Sequence, residues 1–278
     1  MKKLFILLFG SFVLFACGND LEKKAGEKLA LAQAAFERGD YLQAKQLIDS
    51  IKILYPKAFE ARKASQKLME QVVIKGQGQI IASLDSALQS KQSELAAIVG
   101  KYTLEKDTAY QTEGSYLWPT QVIEKNMHRS YLRFQVSEQG VLSMTSIYCG
   151  KSNIHHYAVK VSAPDGSTAE TPSSKDSYET SDLGEKIEKA DYKIGEDGGV
   201  FDFIYANKDK NIRVEYIGDK KFVTTMSATD REALAQTYEL SKILSDITRI
   251  KKELEEANLK VQFVKKKIEF DKKKKVEE

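Results

Sequence analysis

Leu240, Ile247, Leu254, Val261 and Ile268 recur every seventh residue, and Ile243, Ile250, Ala257 and Val264 fill the intermediate step. No proline or glycine interrupts them, so the pattern predicts one long helix carrying a heptad seam. Thr229 and Glu232 stand at capping-box spacing just before it. From there to Asp271 the helix would run about 60 Å at 1.5 Å per residue, leaving 272–278 as a Lys/Glu-rich tail. An exposed seam forgoes about 1.5–3 kcal/mol for each Leu or Ile left in water. It therefore needs a partner helix.

A weaker seam supplies one. After Gly76-Gln77-Gly78, which reads as an interruption, Ile81, Leu88, Leu95 and Tyr102 keep the seven-residue step, with Leu84, Lys91 and Ile98 offset by three. Antiparallel pairing of a 78–105 helix with the 229–271 helix in the same chain is the expected arrangement, because a domain inserted between them returns the chain to where it left. The long helix past about Val261 would then lie along the N-terminal helices. The alternative is a homo-oligomer formed through the 240–268 seam.

Between 106 and 226 the period changes to two. Leu132, Phe134 and Val136 alternate with polar residues, as do Leu142, Met144 and Tyr148 after Glu138-Gln139-Gly140. His155, Tyr157, Val159 and Val161 lead to Ala163-Pro164-Asp165-Gly166, whose Pro and Gly suit a turn. Phe201, Phe203 and Tyr205, then Ile212, Val214 and Tyr216, then 222–226 continue the pattern. At least six short strands are predicted, forming an antiparallel β-sandwich or open barrel, so the fold class is α+β. Residues 168–188 are polar and read as a long surface loop.

Residues 17–75 read as helices. Leu29, Ala32, Phe36, Ala44, Leu47, Ile48, Ile51 and Leu54 fall at helical spacing around a break at Gly39-Asp40-Tyr41. Together with Ala35 and the terminal Tyr55-Pro56, this resembles a single tetratricopeptide repeat. Arrays of such repeats present a groove to a peptide or protein. The other reading is that one hairpin and a capping helix along Ala58, Ala61, Ala64, Leu68 and Val72 simply pack on the rest of the chain.

The N-terminus carries an address. Lys2-Lys3 precedes an apolar run from Leu4 to Phe15, too short for a comfortable membrane span, and Leu14-Phe15-Ala16-Cys17 follows. This resembles the lipobox of bacterial lipoproteins, with Phe15 bulkier than the usual small residue. The resemblance implies removal of a signal peptide at 1–16 and lipid attachment to Cys17, whose acyl chains, such as palmitate, would anchor the chain in a membrane. Gly18 follows in place of the Asp that marks inner-membrane retention in such lipoproteins, which implies the cell envelope at the outer membrane more than the inner. Periplasmic and surface-facing placements both stay open, and Asn19-Asp20 with Glu22 would suit a surface-export signal.

Charge and cysteine usage narrow the chemistry. Losing Lys2 and Lys3 from 43 basic residues leaves 41 against 40 acidic ones, too balanced for a nucleic-acid binder. Cys149 is the only thiol besides Cys17, so neither an internal disulfide nor a thiolate zinc cluster is expected. His155 and His156, placed at the start of a strand, would point to opposite faces and share no metal. Cys149 and His155 would meet as thiolate and base only across a hairpin, and a buried thiol is the reading adopted. Tyr116 and Trp118 beside Pro119 would be glycan contacts if exposed, or a plug for the end of the β domain if not. The Lys-rich C-terminus reads as a solvated face favoured by the helix dipole, with attraction to anionic head groups as the alternative.

No nucleophile, base and orienting group assemble, and no metal or cofactor site is predicted; the chain is not expected to be an enzyme. An envelope scaffold that meets a protein partner is the leading expectation. A glycan- or peptidoglycan-binding module on a helical stalk is the alternative.

Overall fold

Small side chains decide how the first helices approach. The computed structural model describes residues 16–277, with α1 at Ala16–Glu37, α2 at Tyr41–Leu54 and α3 at Phe59–Ile98. Gly39 takes a positive φ of 79° between α1 and α2, and Asp40 caps α2 by accepting a hydrogen bond from the Gln43 N–H at 3.0 Å. Ala32, Ala35 and Ala44 are fully buried against Ile48, Leu68 and Val72. The chain divides into two compact units, one of residues up to 86 and from 252 onward, the other of residues 87–251. The first holds this helical core.

Gly76-Gln77-Gly78 does not interrupt α3, which runs through it. The reason at Gly76 is close approach: a Cβ there would lie 3.3 Å from the Tyr41 Cβ. Glycine costs about 1 kcal/mol against alanine inside a helix, and here it admits the neighbouring ring. The C-terminal part of the long helix α5, Ala228–Glu277, belongs to the same unit, where Lys267 bonds Glu70 at 3.1 Å.

The other unit is built of strands. Those of the larger sheet are β1 (Thr103–Glu105), β2 (Ser115–Leu117), β3 (Tyr131–Ser137), β4 (Leu142–Gly150), β7 (Ser177–Asp182) and β8 (Glu185–Lys193), in the order β1-β2-β3-β4-β8-β7. The smaller sheet is β10-β9-β5-β6, from β5 (Ala158–Ser162), β6 (Thr168–Glu170), β9 (Arg213–Ile217) and β10 (Phe222–Thr225). Every pairing is antiparallel, and neither sheet closes into a barrel. The protein is α+β. Phe134, Met144 and Tyr192 from one sheet share a core with Val159, Val161 and Val214 from the other.

Four expectations change here. Residues 201–205 form a helix, α4 (Val200–Ala206), not a strand. Gly198 and Gly199 turn left-handed before it, Asp197 accepts the Phe201 N–H at 2.8 Å, and Val200, Phe201 and Ile204 are buried on one face at helical spacing, where a strand would part Val200 from Phe201. Residues 168–188 are not one loop but include β6, β7 and the start of β8, because Leu183 and Gly184 both take positive φ and close a two-residue hairpin. The helix expected over 78–105 ends at Ile98, and 103–105 pairs with β2. The long helix starts one residue early and runs to Glu277. Its cap is Ser227, whose Oγ accepts the Asp230 N–H at 3.1 Å, in place of Thr229.

Within this unit, Leu95 and Ile98 pack on Leu240 and Leu244 beside Val136. Lys91 pairs with Asp246 at 3.5 Å, and the Tyr102 hydroxyl donates to the Gln236 carbonyl at 2.8 Å, so positions rise along one segment as they fall along α5. The β3–β4 turn rests on the same helix: Thr248 donates to the Gln139 carbonyl, and a Cβ at Gly140 would stand 2.2 Å from the Ser245 nitrogen.

Candidate functional site

Alternation along β3, β4 and β8 sends one set of side chains into the core and the other outward. The outward set is ordered by the register. Gln135, Ser143 and Lys193 form one row; Arg133, Thr145 and Asp191 the next; Tyr131, Ile147 and Lys189 a third; Cys149 and Ile187 a fourth. These rows floor a groove of about 1020 Å³, bordered by segments 123–129 and 172–176. β4 is paired along both sides, by β3 and β8, so over it recognition falls to side chains, whereas β3 meets β2 at only two positions.

A buried polar network sets one end of the groove. The Asp230 carboxylate, 4% exposed, accepts from Arg129 at 2.5 Å and from Gln121 at 2.9 Å, while Gln121 in turn accepts the Phe134 N–H at 3.0 Å. Arg129 is thereby held with its guanidinium 4.5 Å above the Tyr131 ring. Arg133 in the next row bonds Glu105 of β1 at 2.6 Å.

Cys149 lies in the floor and is half-buried. Its thiol donates to Glu185 Oε2 at 3.3 Å, and the same oxygen meets His128 Nδ1 at 2.5 Å. Burial, reinforced by Glu185, pushes the thiol pKa up to about 11. The His128 bond, followed by that of Cys149, holds the Glu185 carboxyl below its ordinary value, while Glu185 raises His128. A carboxylate thus stands between the thiol and the imidazole. The sulfur stays protonated at neutral pH, where a nucleophile would need to be a thiolate.

His155 does not meet Cys149. It precedes β5, in an irregular segment, with φ at 53°, and is exposed while His156 is buried. His155 Nδ1, Glu179 and Glu188 bring ligand atoms within 4.8 Å of one another. Glu188, 1% exposed, is already saturated: one oxygen accepts the N–H groups of Ile154 and His155, the other the N–H and Nδ1 of His156. Burial alone would raise its carboxyl, but the bonds from His156, His155 and Ile154 outweigh that and hold it low. With its lone pairs used, Glu188 is a clamp on the 154–156 backbone.

Tyr116 and Trp118 are half-buried and do not line the groove. Tyr116 packs near Val136, Leu240 and Leu244, and Trp118 stands edge-on to Tyr102 with ring centroids 5.3 Å apart. Residues 1–15 and the side chain of Cys17 lie outside the described residues. Among the described residues, no helix is long and apolar enough to cross a membrane.

Glu185, Glu188, Gln121 and Asp230 carry no motif that marks them in the sequence. The first two lie in the polar stretch 168–188, at whose end the alternation of Glu188, Ala190 and Tyr192 is the one signal of a strand. Comparison with protein-family models, curated proteins and solved structures returns no match. Fold and groove together define an α+β protein with a side-chain-lined cleft over an antiparallel sheet.

Proposed function

We propose that the protein is a non-catalytic, membrane-anchored envelope lipoprotein that receives a protein partner in the groove over β3, β4 and β8. The observation that carries this reading is the groove floor, where Ile147 and Ile187 lie among Arg133, Lys189 and Asp191. Interspersed aliphatic groups and charges of both signs suit another polypeptide. A glycan would instead call for exposed aromatic faces; the aromatics that line the groove, Tyr131 and Tyr192, are 5% and 4% exposed. The protonated thiol at Cys149 supports a binding role over a nucleophilic one.

The anchor in this reading is lipid on Cys17 after loss of residues 1–16, at the outer membrane. The architecture that goes with it is a tetratricopeptide-like helical hairpin, an antiparallel coiled coil between α3 and α5, and a β-sandwich inserted between them. The shared core of the two sheets supports the sandwich, and the opposed sequence of contacts from Lys91–Asp246 to Tyr102–Gln236 supports the coiled coil.

In-cell photocrosslinking tests the reading directly. A crosslinker replacing Lys189 in the groove is expected to capture one envelope protein at a level that Thr145→Trp reduces at least tenfold. A crosslinker at exposed Lys63 serves as control. Equal capture from both positions, or none from the groove, overturns the assignment. Fractionation of Cys17→Ser tests the anchor separately, by loss of the protein from membranes.

A further inference from the structure

The C-terminal part of α5 has two apolar faces, and only one is explained by packing. Ala257 is buried, and Val261, Val264 and Ile268 are half-buried, on the seam side. At 3.6 residues per turn, Leu259, Phe263, Lys266, Phe270, Lys273 and Lys274 fall together within an arc of about 100° on the opposite side. All six are exposed, and the two phenylalanines are 72% and 67% so. Glu269 and Asp271 are the only carboxylates between 259 and 274, and both project outside this arc. Over 259–274 the face thus combines large apolar groups with cations and no anion, with Glu255 and Glu256 one turn before it on the same side.

We infer that this face of α5 docks on an anionic lipid surface, with Leu259, Phe263 and Phe270 entering the head-group boundary and Lys266, Lys273 and Lys274 meeting lipid phosphates. A basic amphipathic helix with Phe and Leu on its apolar stripe lies in the membrane plane at a depth of about 5–10 Å. Each lysine near an anionic surface contributes on the order of a fivefold gain in partitioning. Dipole stabilisation accounts for lysines near a helix C-terminus, but not for phenylalanines left in water between them. A second copy of the chain is a poorer occupant, since two such faces would oppose three lysines to three lysines. The inference goes beyond the groove assignment and does not depend on acylation of Cys17.

A site-specific probe tests it in the full-length chain. Trp118 is the only tryptophan, so Trp118→Phe with Phe263→Trp places a single indole on the face. On phosphatidylglycerol vesicles with brominated acyl chains, emission from position 263 is expected to shift blue and to be quenched; on phosphatidylcholine vesicles it is not. Adding Lys266→Gln and Lys273→Gln is expected to raise the phosphatidylglycerol required by at least tenfold. Cys17→Ser is expected to leave the signal at 263 unchanged, which separates this inference from the anchor reading. Emission unaltered by vesicles, or equal quenching on both lipids, overturns it. A blue shift without lipid that disappears on dilution overturns it in favour of a second copy.

Discussion

The helical unit and the β unit fill their interiors with side chains of different size. In the helical unit the interior is largely alanine, with Ala25, Ala32, Ala35, Ala44, Ala58 and Ala61 buried, while Leu42, Ile53, Phe59 and Phe263 stand in water. In the β unit the largest fully buried side chains are Tyr216, Phe134 and Phe201. Helices that approach on alanine pack closely but bury little apolar area per residue. Strands facing a shared core bury aromatics, and that rigid interior can hold saturated polar clamps such as Glu188 and Asp230. Both units leave some large apolar groups in water, Met127 and Leu183 among them in the β unit, so the contrast lies in what fills the two interiors.

Five experiments sharpen or break this contrast, beginning with the largest effect. Phe134→Ala should cost about 3–5 kcal/mol in urea unfolding followed by Trp118 fluorescence; a loss below about 1 kcal/mol would remove the distinction between the cores. Glu188→Gln should cost about 1–3 kcal/mol by the same measure, because an amide cannot accept all four donors. It should also flatten the acid limb. Glu188 has a folded pKa below its unfolded value, so its contribution is present above the usual carboxylate range and disappears as pH falls through the folded pKa. A mutant and parent with parallel stability curves below pH ~5 would contradict that linkage.

Ala35→Leu should cost about 1–3 kcal/mol by overpacking, read as loss of helical circular dichroism at lower urea. Iodoacetamide should modify Cys149 slowly at neutral pH, with the rate rising toward the thiol pKa of about 11. Glu185→Gln should speed it only a few-fold, since burial is the larger cause; rapid alkylation of the parent at neutral pH would contradict the protonated thiol. Phe263→Ser, at an exposed site, should change stability by less than about 0.5 kcal/mol. A larger loss would mean that the face is covered within the protein, and the contrast between the units would fail there.

How far the sequence discloses this molecule depends on the range of the forces involved. The 240–268 seam is legible because a heptad repeats one local rule nine times, and α5 spans it. The alternation in β3 and β4 is equally local, and its inward set is buried. At 200–206, Val-Phe-Asp-Phe-Ile-Tyr-Ala suits either period, and the preceding Gly pair, with Asp197 accepting the Phe201 N–H, decides for the helix. The β7–β8 hairpin hides because its turn begins with Leu183, a residue that seldom takes positive φ and gives no turn signal. Glu185 and Glu188 gain meaning only from Cys149, His128 and the 154–156 backbone, tens of residues away. The stripe of Leu259, Phe263 and Phe270 is masked by the stronger period on the other side of the same helix.

The Glu188 clamp also has a consequence in time. The backbone it secures, Ile154 to His156, lies 32 to 34 residues before it and carries the chain from β4 of one sheet toward β5 of the other. During synthesis the crossing emerges first and its fastener only later. Until β8 pairs with β4, four N–H donors at the crossing remain without their acceptor. The route between the sheets is therefore fixed late, by a loop closure whose entropy must be met before the clamp forms.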